Sequence, residues 1–331
     1  MIEWAVWILL GALVVLALLS PLESLRWWAK DGDEAAGMLQ FLTPPPDGVS
    51  SPSQAPRQFV VYLSGVGAVG GKGNSNSKTE QHFLRALEEQ VPGTRVIGDV
   101  FPYSAANRGL TERRGGWLWA RAGRGRESTF PSLAPYVVNL RNVFQVLVAI
   151  DPRYGPTYGL GLANVISRAI RAEGYVPGSG ATVTVIGYSG GSQMALNASW
   201  FLESGGIPTQ IISMGGVFTN APAFTRIHRF LHLWGSKDLL HRLGAVISPG
   251  RWRWVKNSAF HDAQAEGRAV NLCIGPMKHD SKRWYLDHRA IAPDGRSYFD
   301  TTVEVIVEFL QETPPPTAPT EPPPTTPTRE S

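Results

Sequence analysis

Ser189 stands in the run Thr182-Val183-Thr184-Val185-Ile186-Gly187-Tyr188-Ser189-Gly190-Gly191-Ser192-Gln193-Met194-Ala195, where β-branched residues give way abruptly to glycine and then to helix formers. Val183, Val185 and Ile186 favour a pleated, buried strand, and Gln193 to Glu203 carry apolar residues at helical spacing. The turn between them must be very sharp. Gly187 and Gly191 permit it, because a Cβ at either position would collide with the neighbouring strand or helix while the serine is held in a strained conformation. Ser189 is therefore expected at the carboxyl end of a strand and beside a helix N-terminus. There the dipole favours negative charge and the Gly190 amide is placed to face an oxyanion. That is a setting for a nucleophile. The competing reading is a glycine-rich turn whose serine merely caps the helix.

Gly187-Tyr188-Ser189-Gly190-Gly191 resembles the Gly-x-Ser-x-Gly nucleophile elbow of the α/β-hydrolase family, and the resemblance extends over nearly all of residues 57–312. A serine hydroxyl attacks poorly at neutral pH without a base, normally histidine, and a carboxylate that orients the base and stabilises its charged form. In the family the acid and then the base follow the serine along the chain, each in a loop at the carboxyl end of its own strand. Asp238 lies four residues beyond a predicted strand ending at Trp234, and His279 lies five beyond one ending at Ile274. The resemblance thus implies a triad of Ser189, Asp238 and His279. Asp238 is also placed to cap a helix starting at Leu239, and His261 and His288 compete with His279. In the hydrolase reading the loop that begins at Ser64 is the one that follows the family's third strand and supplies the second oxyanion amide. Family members often have His-Gly there, whereas this chain has Ser64-Gly65, which leaves Val66 as the donor to place beside Gly190. The implied reaction is cleavage of an ester, thioester or amide, a carboxylic ester first among them, through an acyl-enzyme on Ser189. It requires no metal or organic cofactor. A lipophilic substrate is a narrower reading that comes from the apolar N-terminal run and the Trp/Arg segments.

The elements that must position these residues alternate. Strands are expected at Gln58–Leu63, Thr94–Phe101, the β-branched run from Thr182 to Ile186, Gln210–Met214, Ile227–Trp234 and Ala269–Ile274. Helices are expected over Lys78–Gln90, with Ser77-Lys78-Thr79-Glu80 at capping-box spacing, then Tyr136–Ile150, Gly159–Ala172 and a last one capped by Asp300. This order predicts an α/β fold with a mostly parallel central sheet and helices on both faces. Polar Asn139, Arg141, Asn142 and Gln145 make Tyr136–Ile150 a packed helix or lid and not a membrane span. Gly65, Gly67 and Gly70 also fit a dinucleotide fingerprint and an oxidoreductase. The helix start at Ser77 comes too late for its dipole to meet a pyrophosphate. A further alternative is a hydrolase-like fold without turnover, acting as an interaction protein at a membrane.

Of 331 residues, 43% are hydrophobic and 18% charged, with a net charge of +4, which suits a globular α/β core and gives no basic stripe for nucleic acid. Residues 1–28 are read as a single-pass membrane anchor flanked by tryptophans, with Arg26 and Lys30 leaning toward a cytoplasmic catalytic domain. Residues 29–56 read as a Pro/Ser-rich linker, 57–312 as the hydrolase domain and 313–331 as a disordered Pro/Thr-rich tail. An insertion at about 102–135 mixes Arg113, Arg114, Arg121, Arg124 and Arg126 with Trp117 and Trp119, which suits either a lipid headgroup interface or a cap loop. Arg251 to Lys256 form a second rim or lipid contact, or an exposed strand with alternate residues packed inward. His228 and His232 are expected to share a strand face in the core or at a sheet edge, without a third ligand for a metal, and His241 to lie at the surface. Cys273, the sole cysteine, is expected to fill space in a buried strand.

Overall fold

Six strands form one all-parallel sheet in a computed structural model of the chain, which describes residues 56–68, 76–104 and 134–312 together with scattered positions between 7 and 30. The strands are β1 Gln58–Leu63, β2 Thr94–Ile97, β3 Thr182–Tyr188, β4 Thr209–Met214, β5 Arg229–Trp234 and β6 Ala269–Cys273, in the spatial order β2-β1-β3-β4-β5-β6. The helices that surround the sheet among the described residues are α1 Lys78–Gln90, α2 Ala134–Ile150, α3 Gly155–Ala172, α4 Gly191–Ser204, α5 Leu243–Ile247, α6 Ala259–Ala265 and α7 Tyr298–Gln311. Parallel neighbours need crossovers, and those crossovers lay helices on both faces. Val60 and Tyr62 of β1 join Ile186, Ile212 and Leu233 in a core completed by α1 and α7. Phe59, Val61 and Leu63 point the other way, into a core with Val183, Val185, Ile211 and side chains of α2, α3 and α4. Strands buried on both faces read as continuous apolar runs, which is why β1 and β3 were legible.

The capping box at α1 forms as its spacing predicts, with the Ser77 N–H donating to Glu80 Oε2 at 2.7 Å and Glu80 N–H to Ser77 Oγ at 3.3 Å. Glu80 Oε1 also accepts the Tyr62 hydroxyl at 2.8 Å, so one carboxylate caps α1 and fastens it to β1. Helix α3 starts at Gly155, earlier than predicted, and lies close against α4. A Cβ on Gly159 would sit 2.6 Å from the Asn197 carbonyl oxygen.

Several expectations are corrected. Strand β2 stops at Ile97, and the Gly98 carbonyl instead accepts Asn76 Nδ2 at 2.8 Å. Strand β5 begins at Arg229, so His228 precedes it and shares no strand face with His232. Cys273 is exposed, because β6 is an edge strand and an apolar run does not tell an edge from a centre. Residues 251–256 form no strand: a 3₁₀ turn over Pro249–Arg251 turns Arg251 inward beneath Phe218 and leaves Trp254 exposed. The linker, nearly all of the 102–135 insertion, the 313–331 tail and most of the 1–28 stretch lie outside the described residues. Among the described residues no helix is long and apolar enough to cross a membrane.

Glu203, in the last turn of α4, accepts the Thr209 N–H and lies 3.7 Å from His228 Nε2. Burial pushes its carboxyl from the ordinary 4.5 up to about 8, against the opposing pull of the Thr209 N–H and Arg226. The folded state therefore binds more protons than the unfolded chain between those values, and stability falls as pH rises from about 4.5 to 8. Glu203→Gln is expected to remove a pH-dependent loss of roughly 2–4 kcal/mol, measured by urea denaturation at several pH values.

Candidate active site

Strand β3 delivers the chain into the elbow, and Ser189 takes the strained conformation its glycine neighbours foretold, with φ of 55°. A Cβ on Gly187 would lie 2.6 Å from the Gly191 carbonyl, and one on Gly191 would lie 2.4 Å from the Leu63 carbonyl oxygen. Both glycines are therefore required by contact. The elbow is tied to β4 and the chain after it: Ser189 N–H donates to Met214 O and Val217 N–H to Ser189 O, each at 3.1 Å. Below it, Ser192 Oγ donates to the Gly187 carbonyl at 2.7 Å and Ser213 Oγ donates to Ser192 Oγ at 3.0 Å. His232 Nδ1 lies 3.1 Å from Ser213 Oγ. Burial, aided by Arg251 and His241, pushes this imidazole down to about 3, so His232 is a neutral structural support beneath the turn. His241 is half-buried, stacked on Trp234 and 3.4 Å from His232, and so is not the surface residue expected.

The structure brings Ser189, Asp238 and His279 together. His279 Nε2 lies 2.7 Å from Ser189 Oγ, and His279 Nδ1 lies 2.9 and 3.1 Å from the two oxygens of Asp238. A carboxylate accepts only, so Nδ1 carries the proton and Nε2 is the acceptor that faces the serine hydroxyl. Asp238 lies past β5 and is fully buried, yet both its oxygens are satisfied. Oδ1 accepts the N–H groups of Leu240 and His241, and Oδ2 accepts the Tyr285 hydroxyl at 2.7 Å. The two sequence readings of Asp238 thus hold at once, since it caps the 3₁₀ turn after it and orients the imidazole. Burial raises its pKa, but hydrogen bonds from His279, Tyr285 and the backbone outweigh burial and hold the carboxyl below the usual range. Tyr285, whose oxygen accepts the Gly235 N–H at 2.9 Å, had no signal in the sequence. Tyr188 stacks on the His279 ring with centroids 5.5 Å apart and donates its hydroxyl to the His279 carbonyl. The competing histidines lie elsewhere: His261 contacts the Val255 carbonyl, and His288 stacks on His82 and Phe299.

The loop after β1 lies over the elbow, where a Cβ on Gly65 would come within 2.9 Å of the Tyr188 ring and 3.4 Å of Ser189 Cβ. Val66 and Gly190 are neighbours, since a Cβ on Gly190 would meet a Val66 methyl at 3.0 Å. Among the described residues neither the Val66 nor the Gly190 N–H has a backbone partner. Helix α2 sets this loop. Buried Asn142 donates from Nδ2 to the carbonyls of Val66 and Ala68 at 2.7 and 2.8 Å. Arg141 Nη1 donates to Asn142 Oδ1 and to the Tyr103 carbonyl, and the Tyr103 hydroxyl donates to the Ser64 carbonyl at 2.9 Å. The polar residues in an otherwise apolar helix are the signal of this role in the sequence. Asn142→Leu leaves two loop carbonyls without a donor. It is expected to lower kcat/KM about 10- to 100-fold, with KM little changed, and to cost about 1–3 kcal/mol of stability, checked by steady-state kinetics and urea denaturation.

Among the described residues no group of three or more His, Cys, Asp or Glu side chains is placed to hold a metal ion. Gly70, part of the dinucleotide fingerprint, lies outside the described residues. An all-parallel sheet, a Gly-x-Ser-x-Gly turn leaving its third strand, and Asp238 and His279 in loops after later strands form an α/β fold with the arrangement that the resemblance to α/β-hydrolases implies. No protein-family model and no curated protein sequence matches the chain. Among solved structures it is similar to a protein assigned provisionally as a dienelactone hydrolase from Klebsiella pneumoniae subsp. pneumoniae, at 13% identity and a TM-score of 0.42, covering 81% of this chain and 91% of that one. It is also similar to an arylesterase, at 10% identity and a TM-score of 0.40, covering 87% of this chain and 94% of that one.

Proposed function

We propose that the chain is a serine hydrolase that cleaves a carboxylic ester through an acyl-enzyme on Ser189. The observation that carries this reading is the imidazole of His279, set 2.7 Å from Ser189 Oγ on one side and 2.9 Å from Asp238 on the other. In the first half-reaction Ser189 Oγ attacks the ester carbonyl carbon while His279 Nε2 takes the hydroxyl proton. Asp238 stabilises the resulting imidazolium. The oxyanion is held by the N–H groups of Gly190 and Val66, next to the positive end of α4. Collapse expels the alcohol, which takes its proton from His279. In the second half-reaction His279 draws a proton from water as that water attacks the acyl carbon. Collapse releases the carboxylic acid and restores Ser189.

The narrower parts of the proposal are a lipophilic ester, tethering by residues 1–28 as a membrane helix, and a catalytic domain on the cytoplasmic side. They rest on the apolar run from Ile2 to Leu19 with only Glu3 interrupting it, on its flanking tryptophans and on Arg26 and Lys30 beyond it. The test is covalent labelling of the full chain with a fluorophosphonate, peptide mapping of the modified residue, and a panel of chromogenic esters of rising chain length. Labelling at Ser189 with faster turnover of longer acyl chains is the expected result. A label on another residue, or no turnover of any ester, rejects the reading.

A further inference from the structure

Immediately after Asp238 the chain makes a 3₁₀ turn over Leu240–Arg242 and continues into α5, and the apolar residues of this stretch face outward. Leu239, Leu240, Leu243, Val246, Ile247 and Trp254 are between 43 and 75% exposed. Spacings of three and four residues put Leu240, Leu243 and Ile247 on one stripe and Leu239, Leu243 and Val246 on the adjoining one. Inward-facing Gly244 lets the stretch sit against Phe218, where a Cβ would lie 2.2 Å from the Phe218 carbonyl oxygen. Trp252 Nε1 donates to the Ala245 carbonyl at 2.8 Å, and the Trp252 and Trp254 rings are 5.3 Å apart, which adds the tryptophan edge to the same surface. The surface is fixed to the candidate site at two points. Asp238 Oδ1 accepts the Leu240 and His241 N–H groups, and Val217, next to Phe218, donates to the Ser189 carbonyl.

Charge indicates what would cover it. Between Asp238 and Asp262 there is no acidic residue, and exposed Arg242, Arg253 and Lys256 lie within the stretch, with exposed Lys237 just before it. Short helical turns with outward Leu, Val and Ile, a tryptophan edge and cations with no acidic residue among them in the stretch form an amphipathic surface of the kind that lies in a lipid headgroup layer. We propose that residues 239–256 dock onto an anionic phospholipid surface, which would hold the rim of the Ser189 site against the bilayer. The docking is separate from any insertion of residues 1–28 and does not depend on turnover by Ser189.

The test uses the full chain in a Cys273→Ser background, carrying Val246→Cys labelled with an environment-sensitive nitrobenzoxadiazole dye. Thr225→Cys, exposed before the amino end of β5, reports the opposite end of the sheet. Each protein is reconstituted into vesicles of phosphatidylcholine alone or with one part in about three of phosphatidylglycerol, a composition that gives a negative surface potential. The dye at 246 is expected to brighten several-fold and shift to the blue only on anionic vesicles, and the dye at 225 to stay in water. Arg242→Glu/Arg253→Glu/Lys256→Glu is expected to weaken docking ~100-fold or more, at roughly fivefold per charge, while the corresponding lysine variant at 242 and 253 retains it. An aqueous spectrum at 246 on anionic vesicles overturns the proposal. So does an equal shift on neutral vesicles, and so does a shift that rises with protein concentration without added lipid, which would mark a second copy of the chain as the occupant.

Discussion

Ser189→Ala is expected to abolish fluorophosphonate labelling and to lower ester hydrolysis by about ten-thousand-fold to a million-fold, because among the described residues it is the Ser189 hydroxyl that stands against His279 Nε2. Phosphonylation forms a bond from Ser189 Oγ to phosphorus as fluoride leaves, so loss of Oγ removes the reacting atom and little else. The fold should survive. Alanine keeps the Cβ, and position 189 already holds a side chain at a positive φ. The hydrogen bonds that tie the elbow to Met214 and Val217 use its main chain. The measurements are in-gel labelling, kcat/KM on the preferred ester and far-UV circular dichroism with thermal melting. Unchanged labelling in a folded Ser189→Ala protein would move the nucleophile elsewhere and end the mechanism.

Asp238→Asn is the second large effect, expected at about ten-thousand-fold in kcat, through the tautomer of His279. The carboxylate accepts at both oxygens: Leu240 and His241 N–H at Oδ1, and the Tyr285 hydroxyl and His279 Nδ1 at Oδ2. An asparagine presents an NH₂ group in place of one acceptor. Turned toward Oδ2 it faces two donors, and turned toward Oδ1 it faces two backbone N–H groups. Either His279 then moves its proton to Nε2, where it can no longer accept from Ser189, or the 3₁₀ turn loses its cap. The first outcome leaves KM nearly unchanged and the protein folded, and the second lowers the melting temperature as well. Steady-state kinetics and thermal melting on the same preparation separate them. A variant with kcat within tenfold of the parent would show that Asp238 serves only as a cap.

Part of this arrangement is visible in the linear order and part is not, and the division follows the range of the forces. Gly187 declares the elbow because the contacts that forbid a Cβ there, with Gly191 and Ser192, lie within the same strand-turn-helix, whereas the carbonyls that exclude a Cβ at Gly191 belong to Leu63 and Ser64, in β1 and the loop after it. Ser77 and Glu80 declare the start of α1 because capping is settled within one turn. Tyr285 carries no mark in the sequence, and Asn142 stands out as polar without declaring its partner, because each acts on a distant segment, Tyr285 on Asp238 and Asn142 on the loop at Val66. The exposure of Cys273 has the same origin. Whether an apolar strand is central or at the edge depends on which other strands lie beside it.

Local preference, alternation and glycine placement thus determined the strand–turn–helix at Ser189, the alternating α/β order and the loops that hold Asp238 and His279. Only the packed sheet decided that His279, and not His261 or His288, stands between Ser189 and Asp238. Only the packed sheet decided, too, that the leucines after Asp238 face outward. A hydrogen bond forms within about 3 Å, whereas its partners here are separated by 41 and 90 positions in the chain. It takes the parallel register of β3, β5 and β6, fixed by two buried cores, to bring the ends of those strands to one rim.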